Sequence, residues 1–118
     1  MKRYRLADSG DRGWFIGDFD KAIWKTDTFE VAFMTNVKGD QSKPHYHKIA
    51  REISLIIKGH VLVNGEEFRD GDMFEFLPGE AVESCIYLED TWTLCVKEPS
   101  AQMDKYYYES KDNVWHTA

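Results

Sequence analysis

Turn signals recur along residues 29–98 at intervals too short for helices: Gly39-Asp40, Lys58-Gly59, Asn64-Gly65, Asp70-Gly71, Pro78-Gly79 and Glu89-Asp90. Strands spaced by about 8–12 residues between such turns are the pattern of an all-β sandwich or barrel. Between the turns the side chains alternate. Phe29, Val31, Phe33, Thr35 and Val37 fall on one face of a run whose other face carries Glu30, Ala32, Met34 and Asn36. Asn64-Gly65 is the strongest local signal, because both residues tolerate the positive φ of a type I′ hairpin turn. No long stretch has a 3.6-residue period, and no internal repeat is visible.

Composition narrows the class. At 118 residues the chain makes one domain, and its 42% hydrophobic and 14% aromatic content is that of a packed globular protein. No apolar run approaches the roughly 20 residues that span a bilayer, so no membrane partner is expected. Asp8, Asp11, Asp18 and Asp20 stand where a signal peptide would need an apolar stretch, which makes the cytoplasm the expected location. Cys85 and Cys95 have neither zinc-knuckle spacing nor secretory context and are expected as buried thiols. A net charge of −6 argues against nucleic acid as a partner.

The residues with chemistry gather in residues 39–59. His45 and His47 are one residue apart, so an extended backbone points both to the same side. Glu52 completes a set of two imidazoles and a carboxylate, which suits iron, manganese, zinc or nickel with coordination positions left open for water or substrate. Strict alternation from His47 would turn Glu52 to the opposite face, so residues 48–51 must contain a bulge or turn. His60, just after the closing glycine, is expected at the surface, and Lys43, Lys48, Arg51 and Lys58 as solvated rim charges. The aromatic residues 14–19 and 29–33 read as core packing or as the interface of a homodimer, since edge strands rich in Phe, Trp and Val need cover.

The stretch resembles the first motif of the cupin superfamily: Gly39, five residues, His45-x-His47, four residues, Glu52, six residues, Gly59. The second motif is degraded. Gly71 and Gly79 fall in place, Pro78 sits one position late, and the histidine and asparagine positions hold Val82 and Ile86. The resemblance implies a double-stranded β-helix (jelly-roll, cupin barrel) in a single domain. Residues 29–98 would form the barrel, residues 1–28 an arm and aromatic segment packing on it, and residues 99–118 a C-terminal extension.

It also implies a divalent transition metal on His45, His47 and Glu52, with one ligand lost to Val82. Three outcomes follow: a two-His, one-carboxylate site; a site in which Glu83, beside the vacancy, turns inward as a ligand or catalytic acid/base; or a barrel without metal. The expected function is a metal-dependent enzyme on a small polar metabolite such as a sugar or sugar acid, by isomerase or epimerase proton transfer first and O₂-dependent oxidation next. The alternative is a non-catalytic cupin that binds a small ligand.

Overall fold

A computed structural model describes residues 1–109 and 114–117. After a single 3₁₀ turn at Leu6–Asp8 the described chain is strands and loops. The strands are β1 (Trp14–Gly17), β2 (Trp24–Lys25), β3 (Glu30–Asn36), β4 (Gln41–Ser42), β5 (His45–Tyr46), β6 (Arg51–Lys58) and β7 (His60–Val63). They continue as β8 (Glu66–Arg69), β9 (Met73–Phe76), β10 (Ala81–Val82), β11 (Cys85–Tyr87), β12 (Thr91–Glu98), β13 (Tyr106–Glu109) and β14 (Val114–Thr117). The all-β expectation holds.

Three sheets enclose the interior: six strands in the order β2-β1-β3-β12-β6-β9, four in the order β10-β5-β13-β14, and four in the order β4-β11-β7-β8. The N-terminal arm and the C-terminal extension both contribute strands to these sheets. β1 pairs with β3, and β13 pairs with the histidine strand β5, Tyr107 lying opposite His45. Residues 110–113 and 118 of the expected C-terminal extension lie outside the described residues. The apolar core is Ile56, Val61, Val63 and Cys85, with Phe68, Phe74, Phe76, Val82 and Tyr87 packed against it.

Two local devices set which side chains face inward. The hairpin β7–β8 turns at Asn64 (φ +48°) and Gly65 (φ +81°), as the Asn-Gly pair requires. Its Asn64 side chain then clamps the neighbouring segment: Oδ1 accepts from the Glu83 and Ser84 N–H groups (2.7 and 3.1 Å), and Nδ2 donates to the Ala81 carbonyl (3.0 Å). Gly59 closes the other end of β6 at φ +124°, where a Cβ would lie 2.4 Å from Thr91 Oγ1. No L side chain fits there.

Candidate functional site

The irregularity required between His47 and Glu52 exists, and a distant carboxylate holds it. Asp104, only 5% exposed, accepts the N–H groups of Lys48, Ile49 and Ala50 at 2.9–3.1 Å. Three consecutive amides aimed at one buried carboxylate form a tight turn, and unmade donors here would cost far more than an ordinary exposed hydrogen bond contributes. The turn shifts the strand parity, so that His45, His47 and Glu52 all line one cavity between the sheets. Its deep walls are apolar, from Ile56, Val61, Val63, Phe74, Phe76 and Val82.

At the polar end the geometry differs from the expected metal set. His45 Nδ1 lies 2.7 Å from the Lys43 carbonyl, which can only accept, so Nδ1 carries the proton and Nε2 is the ring's acceptor. The two imidazoles meet edge to face with centroids 5.6 Å apart. His47 Nδ1 stands 3.9 Å from Glu52 Oε2, and its Nε2 is 3.5 Å from Lys97 Nζ. An ammonium only donates, which assigns Nε2 as acceptor and turns the Nδ1 proton toward Glu52. Lys97 is itself fixed: Nζ is 3.1 Å from Glu30 Oε1 and lies 4.6 Å from the centroid of the Trp14 ring. Glu30 Oε2 accepts from Ser100 Oγ at 2.9 Å, and that hydroxyl accepts the Asp18 N–H at 2.8 Å.

Burial sets the protonation states. It lowers the His45 pKa, and it lowers that of His47 to about 3, with Lys97 and His45 adding to the effect, so both rings are neutral. Burial raises the Glu52 carboxyl, while Lys97 partly opposes the shift. The same desolvation raises both thiols, Cys95 to about 12. Cys85 and Cys95 are therefore inert buried groups, as expected.

The residues present do not fit a divalent metal as they stand. Among the described residues no three His, Cys, Asp or Glu side chains converge on one point. The nitrogen of His47 that would donate to a metal already faces the Lys97 ammonium at 3.5 Å, which would repel a divalent ion placed there. Val82 adds an apolar wall where a further donor would stand.

Two further expectations are corrected. Glu83 is exposed and does not line the cavity, because the Asn64 clamp turns Val82 inward and Glu83 out. His60 is buried: it begins β7, its N–H donates to Thr91 Oγ1 at 3.2 Å, and its Nε2 lies 3.2 Å from Glu67 Oε1.

Lys97 and Trp14 were not singled out from sequence as site residues. The available signal was the polar row Thr91, Thr93, Cys95, Lys97 on β12, overlooked because the opposite row, Trp92, Leu94, Val96, is the apolar one. Arg51 lies on the surface near Glu75 and Glu98, and Lys48 stacks over Tyr106.

The fold has counterparts among solved structures. KdgF from Halomonas sp. is similar over 65% of this chain and 74% of its own (TM-score 0.58, 22% identity). A sugar phosphate isomerase from a cupin superfamily, from Silicibacter pomeroyi, is similar over 77% and 67% (0.55, 16%). The chain folds as a cupin. An acetylacetone dioxygenase from Acinetobacter johnsonii shares this cupin fold too, over 78% of this chain and 62% of its own (0.62, 11%). No family model matches the sequence, and no curated protein does. The resemblance carried by residues 39–59 is thus borne out at the level of fold.

Proposed function

We propose that this cupin is an enzyme that moves a proton on a small polar metabolite held in the barrel, a reaction of the isomerase or epimerase type. The observation that carries the reading is the Glu52–His47 pair at the polar end of an otherwise apolar cavity. A half-buried carboxyl with a raised pKa, next to a neutral imidazole whose proton points at it, is a poised acid–base couple. Glu52 as carboxylate would take the proton from a carbon beside a carbonyl, the electron pair passing to the carbonyl oxygen. The same carboxyl would return the proton to the opposite face of that carbon, or to the neighbouring former carbonyl carbon. In the second case the hydroxyl proton passes to the former carbonyl oxygen and the hydroxyl becomes the new carbonyl. Similarity in fold to a sugar phosphate isomerase supports a sugar-derived substrate. No step of this reading is routed through the metal that the motif implies.

Solvent exchange tests it. In D₂O the wild-type protein should introduce deuterium into one member of a panel of sugar phosphates and sugar acids, followed by NMR. Glu52→Gln should slow that exchange about 10²-fold or more. Ligand-induced stabilisation of the wild type with no exchange anywhere in the panel would make the chain a binding cupin instead.

The homodimer is proposed on the outer face of the six-stranded sheet. Phe33, Leu94, Leu55 and Met73 stand in register across four strands there. Ile53, Ile57, Trp92 and Val96 on the same face are each more than a third exposed. Of the aromatic residues expected at an interface, Phe33 lies on this face and Trp14 lines the cavity. Sedimentation at several concentrations should show the doubled mass; a monomer throughout removes the proposal.

A further inference from the structure

The acid–base reading leaves a group unassigned: a cation built in beside His47. Lys97 lies on the inward row of β12, directly paired in register with Glu52 of β6. Its side chain is 15% exposed and held on three sides, by Glu30, by the Trp14 ring and by His47 Nε2. Glu30 is anchored in turn through Ser100. This is a preorganised ammonium rather than a mobile rim charge, and holding it costs nothing further when a ligand arrives.

We propose that Lys97 is the resident cation of this barrel: it stands where a metal-dependent site would hold its ion beside His47, shuts such an ion out, and receives an anionic oxygen of a small carboxylic acid. An ammonium has three N–H donors, and Glu30 and His47 account for two, leaving one for the cavity. Two further cations, Arg12 and Lys105, line the cavity with Lys97, so that in a chain whose net charge is −6 the cavity gathers cations as well as the carboxylates Glu52 and Glu80. Beyond the polar end the wall is aliphatic and aromatic, which suits the short carbon body of such an acid and gives it no polar partner to lose.

The carboxylate part rests on the acid–base reading of the same cavity, whereas exclusion of metal does not, and the two are read out separately. Chelator-treated protein is titrated with Co²⁺, followed by visible absorption and calorimetry, for the wild type, Lys97→Met, Lys97→Arg and Lys97→Met/His47→Ala. Lys97→Met removes the charge at nearly constant volume. It should bind one Co²⁺ per chain at least about tenfold more tightly than the wild type, and the added His47→Ala should abolish the gain. Lys97→Arg should behave as the wild type.

Pyruvate, as the probe carboxylate, should raise the melting temperature of the wild type and lose that effect in Lys97→Met. Tight stoichiometric Co²⁺ binding by the wild type, abolished by His47→Ala, overturns the proposal, and this arm needs no Lys97 variant to fold. Equal Co²⁺ affinity in the wild type and Lys97→Met overturns it as well. Metal exclusion without any pyruvate effect removes the anion-anchoring role. Loss of deuterium exchange with these results intact would count against the reaction and not against Lys97.

Discussion

The two faces of the six-stranded sheet carry opposite chemistry, and the polar one points inward. Toward the cavity β6 presents Glu52, Ser54 and Ile56, and β12 presents Thr93, Cys95 and Lys97. Toward the outside the same strands present Ile53, Leu55, Ile57 and Trp92, Leu94, Val96. In an ordinary half-buried sheet the apolar row covers the core. Here the apolar row is left more than a third exposed at Ile53, Ile57, Trp92 and Val96, and the inward row carries the polar groups of the site. On the two proposals made above, the inner face answers to function and the outer face to assembly.

The most severe break of the inner face should come from outside it. Asp104→Ala removes the acceptor of three consecutive amides, the Ala50 one buried, in the turn that brings Glu52 round to the histidines. Loss of that charged acceptor should lower the unfolding free energy by about 3 kcal/mol in urea titrations. It should also abolish the solvent exchange proposed for Glu52, even though Asp104 does not line the cavity. A variant with wild-type stability and activity would show that the turn holds itself.

The outer face should respond to charge without loss of fold. Ile53→Lys combined with Met73→Lys places two ammonium groups on residues already 37% and 64% exposed. Each should cost little in the monomer, within about 0.5 kcal/mol for a surface site, yet desolvating them at an interface would be prohibitive. Sedimentation should therefore show a dimer becoming a monomer, with the circular dichroism spectrum unchanged. Survival of the dimer would move the interface elsewhere, for instance toward the exposed Trp24, which packs edge-on against Phe29.

The pH dependence of stability carries the signature of the inner face. His47 has its pKa lowered from 6.5 to about 3 by burial and by Lys97. Between these values the unfolded chain binds the proton and the folded chain does not, so stability is fully present above about pH 6.5 and falls as the pH drops toward 3. Glu52, raised by burial, has the opposite sign: its contribution is present at low pH and lost as the pH rises above 4.5. Urea midpoints at pH 7.5 and 5.0 should thus differ less in His47→Asn than in the wild type. An unchanged difference would mean that His47 titrates freely in the folded protein.

These expectations also mark what could be read in the chain itself. The strands, the Asn64-Gly65 hairpin and the convergence of His45, His47 and Glu52 on one cavity were legible, because turn chemistry and the spacing of the first motif are local. The need for a turn at residues 48–51 was legible too, but its cause was not. Asp104 lies more than fifty residues away, and no local pattern joins it to those amides. Lys97 stayed hidden for a different reason. Its strand alternates cleanly, but the rule that apolar rows face inward assigns it to solvent, and only the sheet's position around the cavity reverses that assignment.

The same limit governed the choice between Val82 and Glu83, which alternation alone could not make. It is decided by Asn64, whose side chain grips the backbone on both sides of Glu83 and fixes the parity of β10 against β5, with Val82 opposite His45. The smallest expected effect therefore belongs to Glu83, the acid/base candidate that the sequence offered if its segment turned inward. Glu83→Gln changes an exposed side chain whose backbone N–H does the structural work, and it should leave stability within about 0.5 kcal/mol and solvent exchange within twofold of the wild type. Asn64→Ala is the informative partner. It takes the acceptor from two N–H groups and the donor from one carbonyl, and should cost about 1–3 kcal/mol while loosening the wall that Val82 forms. A tenfold loss of exchange in Glu83→Gln, with Asn64 intact, would mean that the segment turns over in solution and that the cavity wall is Glu83 after all.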